Sequence, residues 1–457
     1  MKSIVGFFKI KERNSSVNIE ILAGVTTFMT MSYIIFLQPA ILSGTLTHSP
    51  TGMSVSALTV GVCLAAAIGS MLMGLLANYP IALAPGMGEN FFFVSLVGAC
   101  VSMNIAPPET AWHTALGVVF ISGIIFLIIS FFNIRGALLT AISPSLRYAI
   151  AAGIGLFIAL LGLKNGNIIH TVNGSMLLNS DVFTSLSGAV FCGALLVTSI
   201  LYVRKIKGAV LWGIVAGTAI AFIAGAVQFN GVFSVPPSVG PVFAKFDLYT
   251  VFANLLKLLP FIIIFTFMDV FDTLGTLVGI GMQAGLMKDG KLPNQKKAFA
   301  ADSIATITGV FFGQSTVTSY IESSTGVRSG GRTGLTALVV AICFIIAVFF
   351  TPLIKMIAAF PPITAAALVF VGALMMSSAK NIDWDDAGEA LPAFLIIAGV
   401  PFTSSIADGI MLGLIIYPFI NIFSAKRKTI AWLTYVLSFV MLVYLLVVRT
   451  GILKKFL

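Results

Sequence analysis

Residues 81–93 read IALAPGMGENFFF. The stretch is apolar at both ends, yet Pro85, Gly86 and Gly88 cannot sustain a regular helix through its middle. A second stretch breaks in the same manner. Residues 312–334 read FGQSTVTSYIESSTGVRSGGRTG, with apolar runs closely flanking them. Gln314 to Tyr320 is polar and β-branched, which suits a short extended piece. Glu322 to Gly326 then reads as a helix start with an acid in its first turn. Taking the second stretch as a plain cytoplasmic loop is the alternative. Inside a bilayer, backbone groups freed by such breaks must face protein or a cavity. A helix restarting near Glu89 and Asn90 would aim its first N–H groups into that cavity.

The rest of the chain supplies the bilayer. Of 457 residues, 58% are hydrophobic and 9% charged, and 38 are Phe. Mean hydropathy is +1.06. A soluble domain could not cover so much apolar surface with so few charges. Soluble enzymes, nucleic-acid binders and disordered tails are therefore disfavoured. A β-barrel is too, because the apolar runs are continuous and do not alternate. Cys63, Cys100, Cys192 and Cys343 lie in apolar runs and read as small core residues. His48, His113 and His170 are isolated, without metal-ligand spacing. No Walker loop, metal cluster or nucleophile triad appears, so no enzyme, metal or cofactor is expected.

A spanning helix needs roughly 20 apolar residues. That ruler gives fourteen spans: 17–44, 54–78, 82–102, 112–133, 138–163, 183–203, 208–228, 249–282, 296–313, 315–332, 333–353, 361–379, 389–403 and 406–424. A further apolar stretch, 429–448, is left open between spanning and lying at the interface. With the basic N-terminus placed in the cytoplasm, cytoplasmic segments hold Lys2, Lys9, Lys11, Arg13, Arg135, Arg204, Lys205 and Lys207. They also hold Lys288, Lys291, Lys296, Lys297, Arg328, Arg332, Lys380, Lys426, Arg427 and Lys428. External segments hold only Lys164, Lys245 and Lys355. The net charge of +10 is thus a topology signal. No cleavage site follows the basic start, so 1–16 reads as a retained tail. Spans three and ten, the two broken ones, correspond if the chain is two sevens. Matching interruptions in two halves point to a transporter site between inverted repeats.

Acids inside a membrane are costly and so informative. In 265–282, FTFMDVFDTLGTLVGIGM, Asp269, Asp272, Thr273 and Thr276 share one helix face. They read as a substrate acceptor with a proton or cation carrier, or as acids that cap a helix break or pair with Lys257. Asn90 donates and accepts at once. Phe91, Phe92 and Phe93 offer faces for a flat ligand, or simply core. Glu89 lines a cavity or is a protonated interior acid. Asp302 and Asp408 read equally as helix-end or functional residues. Asp383, Asp385, Asp386 and Glu389 read as a solvated helix start.

On these motifs the chain resembles the nucleobase–cation symporter family, in its adenine/guanine/hypoxanthine permease branch. The matching stretches are GFFKIKERNSSVNIEILAGVTTFMTMSYIIFLQPAIL, LAPGMGEN, VFDTLGTLVG, STVTSYIESSTGVRSGGRTGLTA, NIDWDDAGEALPAFL and SIADGI. The resemblance implies an all-α polytopic membrane protein of two inverted repeats of seven segments. Short strands followed by half-helices are implied in segments three and ten. The first repeat would cover 17–235 and the second 249–424, followed by an apolar and basic segment, 425–457. A core domain would take about 17–135 and 249–353, and a gate domain about 136–235 and 354–424. Asn90, Asp269 and Glu322 match the family's substrate-contacting residues, and Asp272 its proton-coupling acid. Phe91, Thr273 and Ser323 are expected at the substrate too, and Glu89 beside the coupling acid. The branch usually reads GMGLNA where this chain reads GMGENF, so Glu89 and Phe91 are departures. The implied function is proton-coupled import of a purine nucleobase across a bacterial cytoplasmic membrane. Na+ is the alternative ion, and a homodimer stays open. Rival readings are a uracil or xanthine symporter, an anion exchanger of the same architecture, or a channel.

Overall fold

The computed structural model describes residues 2–131, 142–172, 175–286, 292–423 and 430–446. Several basic residues used for topology lie outside them: Arg135, Lys288, Lys291, Lys426, Arg427 and Lys428.

After a short α1 (Lys2–Phe7), the Ser16 side chain accepts from Ile19 N and starts α2 (Val17–Met31). The chain hesitates at Ser32 and Tyr33 and continues as α3 (Ile34–Leu42). Next comes α4 (Val55–Leu72), extended by a π-helical turn that Asn78 ends in the left-handed region. β1 (Leu83–Pro85) leads into α5 (Met87–Ser102), followed by α6 (Ala111–Phe131) and α7 (Pro144–Asn165). A small hairpin, β2 (Ile169–Val172) and β3 (Ser175–Leu178), precedes α8 (Leu186–Val203) and α9 (Ala209–Ile223).

The second half again places a strand before a helix in its third segment, with an added last helix and, among the described residues, without a hairpin. After α10 (Leu248–Ala253) come α11 (Leu255–Gln283) and α12 (Gln295–Phe311). β4 (Val317–Ser319) leads into α13 (Ser323–Arg328) and then α14 (Gly334–Ala347) and α15 (Thr351–Ala358). The last helices are α16 (Pro362–Met376), α17 (Ala387–Thr403), α18 (Ile406–Ile422) and α19 (Trp432–Tyr444). Eight helical runs among the described residues are long and apolar enough to cross a membrane alone. The protein is a helical, multi-pass membrane protein. Its outward surface fits lipid: Ile223 is 85% and Phe402 83% exposed.

The two broken segments meet. β1 pairs antiparallel with β4, Leu83 opposite Ser319 and Pro85 opposite Val317. Freed backbone groups are thereby satisfied inside protein, as a bilayer demands. Ser70 assists, accepting from Leu83 N at 2.9 Å and donating to Leu83 O at 3.1 Å.

Helices α7, α8, α9, α16, α17 and α18 pack mainly on one another, whereas α12 packs on α4 and α6, and α14 on α2 and α4. Small residues set the closest approaches. A Cβ on Gly334 would meet Gly74 O at 2.1 Å, and one on Gly372 would meet Gly155 O at 2.4 Å. The 13 residues of α19 fall short of a bilayer's thickness. The helix leans on α18, and Ser438 Oγ donates to Ile415 O at 2.9 Å.

The acidic cluster near α17 needs a correction. Asp386 caps the helix through Gly388 N at 2.9 Å, as a helix start should. Glu389, however, is 6% exposed. One turn into α17 it faces α7 and α18, and accepts from Ser143 Oγ at 2.5 Å and Tyr417 OH at 2.9 Å.

Candidate functional site

Where β1, β4 and α11 come together, a cavity of about 1200 Å³ opens. Three carboxylates from three broken or polar segments line it: Glu89, Asp272 and Glu322. Asp272 is exposed to the cavity and Glu322 half-buried, while Glu89 is only 3% exposed. Glu322 caps α13. Its Oε1 accepts from Tyr33 OH at 2.6 Å, so the break between α2 and α3 also serves the site. Phe267 and Phe271, stacked at 5.6 Å, line the wall beside Asp272. The Arg147 guanidinium of α7 lies over the Phe271 ring at 5.1 Å. From these groups the cavity runs to the exposed side chains of Lys205, Lys207 and Arg328.

Five residues expected at the substrate stand behind this wall. The Asn90 amide is engaged on both sides: Nδ2 donates to Gln38 Oε1, and Oδ1 accepts from Ser315 Oγ. Gln38 in turn accepts Asn90 while donating to Gln314 Oε1 at 3.0 Å, so α3, α5 and the start of β4 are stitched together. Asp269 is 1% exposed; its Oδ2 accepts from Thr306 Oγ1 at 2.9 Å, and Oδ1 has no partner among the described residues. Thr273 Oγ1 donates to Asp302 Oδ1 at 2.7 Å. Ser323 Oγ accepts from Ala82 N at 3.0 Å. Phe91 meets Phe157 edge-on, and Phe92 packs on Phe261 and Phe265. The reason is common to all five. Apart from the unpartnered Asp269 Oδ1, their polar or aromatic groups tie the broken segments and α11 to one another and to α3, α12 and α7.

Asp302 turns out to be central to that wall. It is fully buried, and its two oxygens accept from Thr273 of α11 and from Ser319 of β4, each at 2.7 Å. Its position early in a span left a helix-end and a functional reading level. Tyr33, Arg147, Phe267 and Phe271 were not singled out in the sequence. Only Phe267 and Phe271 had a signal, an i, i+4 aromatic pair on the helix that bears Asp272. Among the described residues no cluster suited to a metal ion occurs.

The comparisons agree with this architecture. The chain's fold matches the transmembrane domain of a cyanobacterial bicarbonate transporter, BicA, with a TM-score of 0.63 at 16% identity, over 86% of this chain and 97% of that one. It also matches a murine anion transporter, Slc26a9, at 0.61 and 13% identity, over 92% and 72%. At these identities the likeness concerns the fold alone. Sequence relatives are nearer. A putative permease of Methanocaldococcus jannaschii is 44% identical over 96% of this chain and 97% of its own. A guanine/hypoxanthine permease of Bacillus subtilis, PbuO, is 38% identical over 96% and 100%. An adenine permease of Escherichia coli, AdeP, is 40% identical over 93% and 92%. A family model described as the Permease family matches residues 18–412. With broken segments paired at a carboxylate-lined cavity, and with relatives named for purine transport along nearly its whole length, the chain belongs to this permease family and is a transporter, not an enzyme.

Proposed function

We propose that the protein imports purine nucleobases by proton symport. The observation that carries this reading is the convergence of Glu89, Asp272 and Glu322 on one cavity beside Phe267 and Phe271. A purine base is flat, neutral and rich in ring N–H donors. A carboxylate accepts from two adjacent donors, and charge-assisted bonds are the strong kind. The names of the relatives point to the same substrate class.

In this reading Glu322 and Asp272 hold the donor edge of the base, and Phe271 offers its face. Asp269 carries the proton. Its sealed position and unpartnered Oδ1 favour it for that role over Asp272, the reverse of the assignment the resemblance implies. Asn90, Thr273 and Ser323 support the site by fixing the strands and half-helices that aim the acids. The cavity is walled by Asp272 and Glu322 on one side and by Arg147 and Ile154 of α7 on the other. Movement of the core (about 17–135 and 249–353) against the gate (about 136–235 and 354–424) would therefore carry the base across. The exposed mouth, with Lys205, Lys207 and Arg328, lies on the side that the charge pattern assigns to the cytoplasm. This conformation is then open inward, in a bacterial cytoplasmic membrane.

The test is uptake of radiolabelled hypoxanthine, guanine and adenine by cells lacking their own purine permeases. Expression of the protein should produce accumulation that a protonophore collapses and that replacing Na+ does not. Excess unlabelled uracil should compete poorly. No uptake of any purine would end this reading, and uptake unaffected by the protonophore would end its coupling part.

A further inference from the structure

The half-helix α5 begins at Gly86, which has no side chain to cap it, in the wall of the cavity. A helix start of this kind is an anion-binding place, because its first N–H groups are unsatisfied and its dipole is positive there. Here a carboxylate of the chain already occupies it. Glu89 lies in the first turn of α5 and folds back over Gly86. A Cβ on Gly86 would come within 2.2 Å of Glu89 Oε2 and 2.8 Å of its Cδ. The side chain is 3% exposed, yet it borders the cavity that Asp272 and Glu322 share. Both solved structures described above are transporters named for anions, and they share this fold.

We propose that Glu89 is a built-in counter-anion that determines specificity: by filling the start of α5, its carboxylate bars anionic solutes from the cavity and reserves it for neutral, N–H-donating heterocycles. The physical reason is mutual exclusion. An incoming anion would have to displace the Glu89 carboxylate from the helix start or sit beside it and the other two acids. Beside a carboxylate that is itself only 3% exposed, that repulsion is weakly screened. A neutral base meets no such penalty and gains acceptors for its donors. Gly86 belongs to the device, since any larger residue would push the carboxylate away.

The inference rests on the purine reading for its neutral ligand, so the experiment separates the two. Full-length protein in nanodiscs, without any gradient, is assayed for equilibrium binding of radiolabelled hypoxanthine and of urate, an oxidised purine that is a monoanion at neutral pH. The ratio of urate Kd to hypoxanthine Kd should be large for the native chain and fall at least tenfold in Glu89→Gln, which keeps the size and loses the charge. Glu89→Asp, which keeps the charge, should retain most of the discrimination. An unchanged ratio in Glu89→Gln would overturn the proposal. So would loss of hypoxanthine binding with urate still excluded, because Glu89 would then be a ligand for the base. If the native chain binds no purine, the purine reading fails, and bicarbonate flux in proteoliposomes decides the present inference. Flux gained by Glu89→Gln upholds it, and flux absent from both forms overturns it.

Discussion

Glu322→Gln is expected to lower purine uptake, as kcat/KM, by at least a hundredfold while leaving a folded, membrane-inserted protein. The amide matches the carboxylate in size, and Tyr33 OH can still donate to its oxygen, as it now does to Glu322 Oε1 at 2.6 Å. What disappears is the charge and one acceptor. Bonds to a charged group contribute about 1.5–3 kcal/mol each. Losing one such bond outright and the charge assistance of its neighbour costs about 2.5–4.5 kcal/mol, or roughly two to three orders of magnitude. The replaced oxygen also becomes an NH2 aimed at a donor of the substrate, so repulsion adds to the loss. Glu322→Asp keeps the charge on a shorter arm and should fall between. Uptake of Glu322→Gln within about threefold of the native level would remove this residue from the substrate, whatever else the cavity binds.

The second large effect concerns stability. Glu20 is fully buried in α2, and three donors converge on its carboxylate. Arg332 N reaches Oε1 at 3.0 Å, while Thr333 N at 3.2 Å and the Thr336 hydroxyl reach Oε2. These donors belong to the loop between α13 and α14 and to the first turn of α14, shortly after the half-helix that Glu322 precedes. The same loop is held from the N-terminal tail, since Arg13 Nη1 donates to Arg332 O at 2.8 Å and to Asn78 O at 2.6 Å. A buried donor left unpaired costs about 1–3 kcal/mol. Glu20→Ala strands two backbone N–H groups and a hydroxyl, so about 3–5 kcal/mol should be lost. Thermal unfolding in detergent should show an apparent Tm lower by about 5 °C or more. Glu20→Gln keeps one acceptor oxygen and should recover part of the difference. A Glu20→Ala protein as stable as the native one would mean that the clasp is redundant.

Much of this architecture was written in local sequence. Proline and glycine at 85, 86 and 88 announced the first break, and the polar β-branched run from Gln314 announced the second. Both became a short strand leading into a helix. The i, i+3 spacing of Asp269 and Asp272 marked α11 as a helix with a polar face. It could not say which acid meets the cavity. Two positions on one face differ by some 60° around the axis (three steps of roughly 100°). That rotation sends Asp269 toward Thr306 of α12 and leaves Asp272 open to the cavity. Asn90 shows the same limit. Its amide was legible as a polar group at a break, but its partners Gln38 and Ser315 come from distant segments.

Other residues were hidden for a related reason. Glu20, Asp302 and Glu389 each sit within a turn or two of a helix end, where an acid ordinarily meets solvent. Their burial comes from neighbours far along the chain: Arg332 to Thr336 for Glu20, Ser319 for Asp302, and Ser143 and Tyr417 for Glu389. Periodicity reports which face a residue occupies, while tertiary packing decides what that face meets. The phenylalanines make the point in apolar form. Phe91, Phe92 and Phe93 stood out as a run, yet they fill the core. Phe267 and Phe271, a turn apart on α11, line the cavity.

The central claim is that a purine base sits at the junction of the two broken segments, with its donor edge on the cavity acids. Cryo-electron microscopy of the full chain in nanodiscs with saturating hypoxanthine tests it most directly. Planar density is expected between β1, β4 and α11, within hydrogen-bonding distance of the Glu322 and Asp272 carboxylates and against the Phe271 ring. Hypoxanthine density elsewhere, or a junction left empty at saturating base, would contradict it.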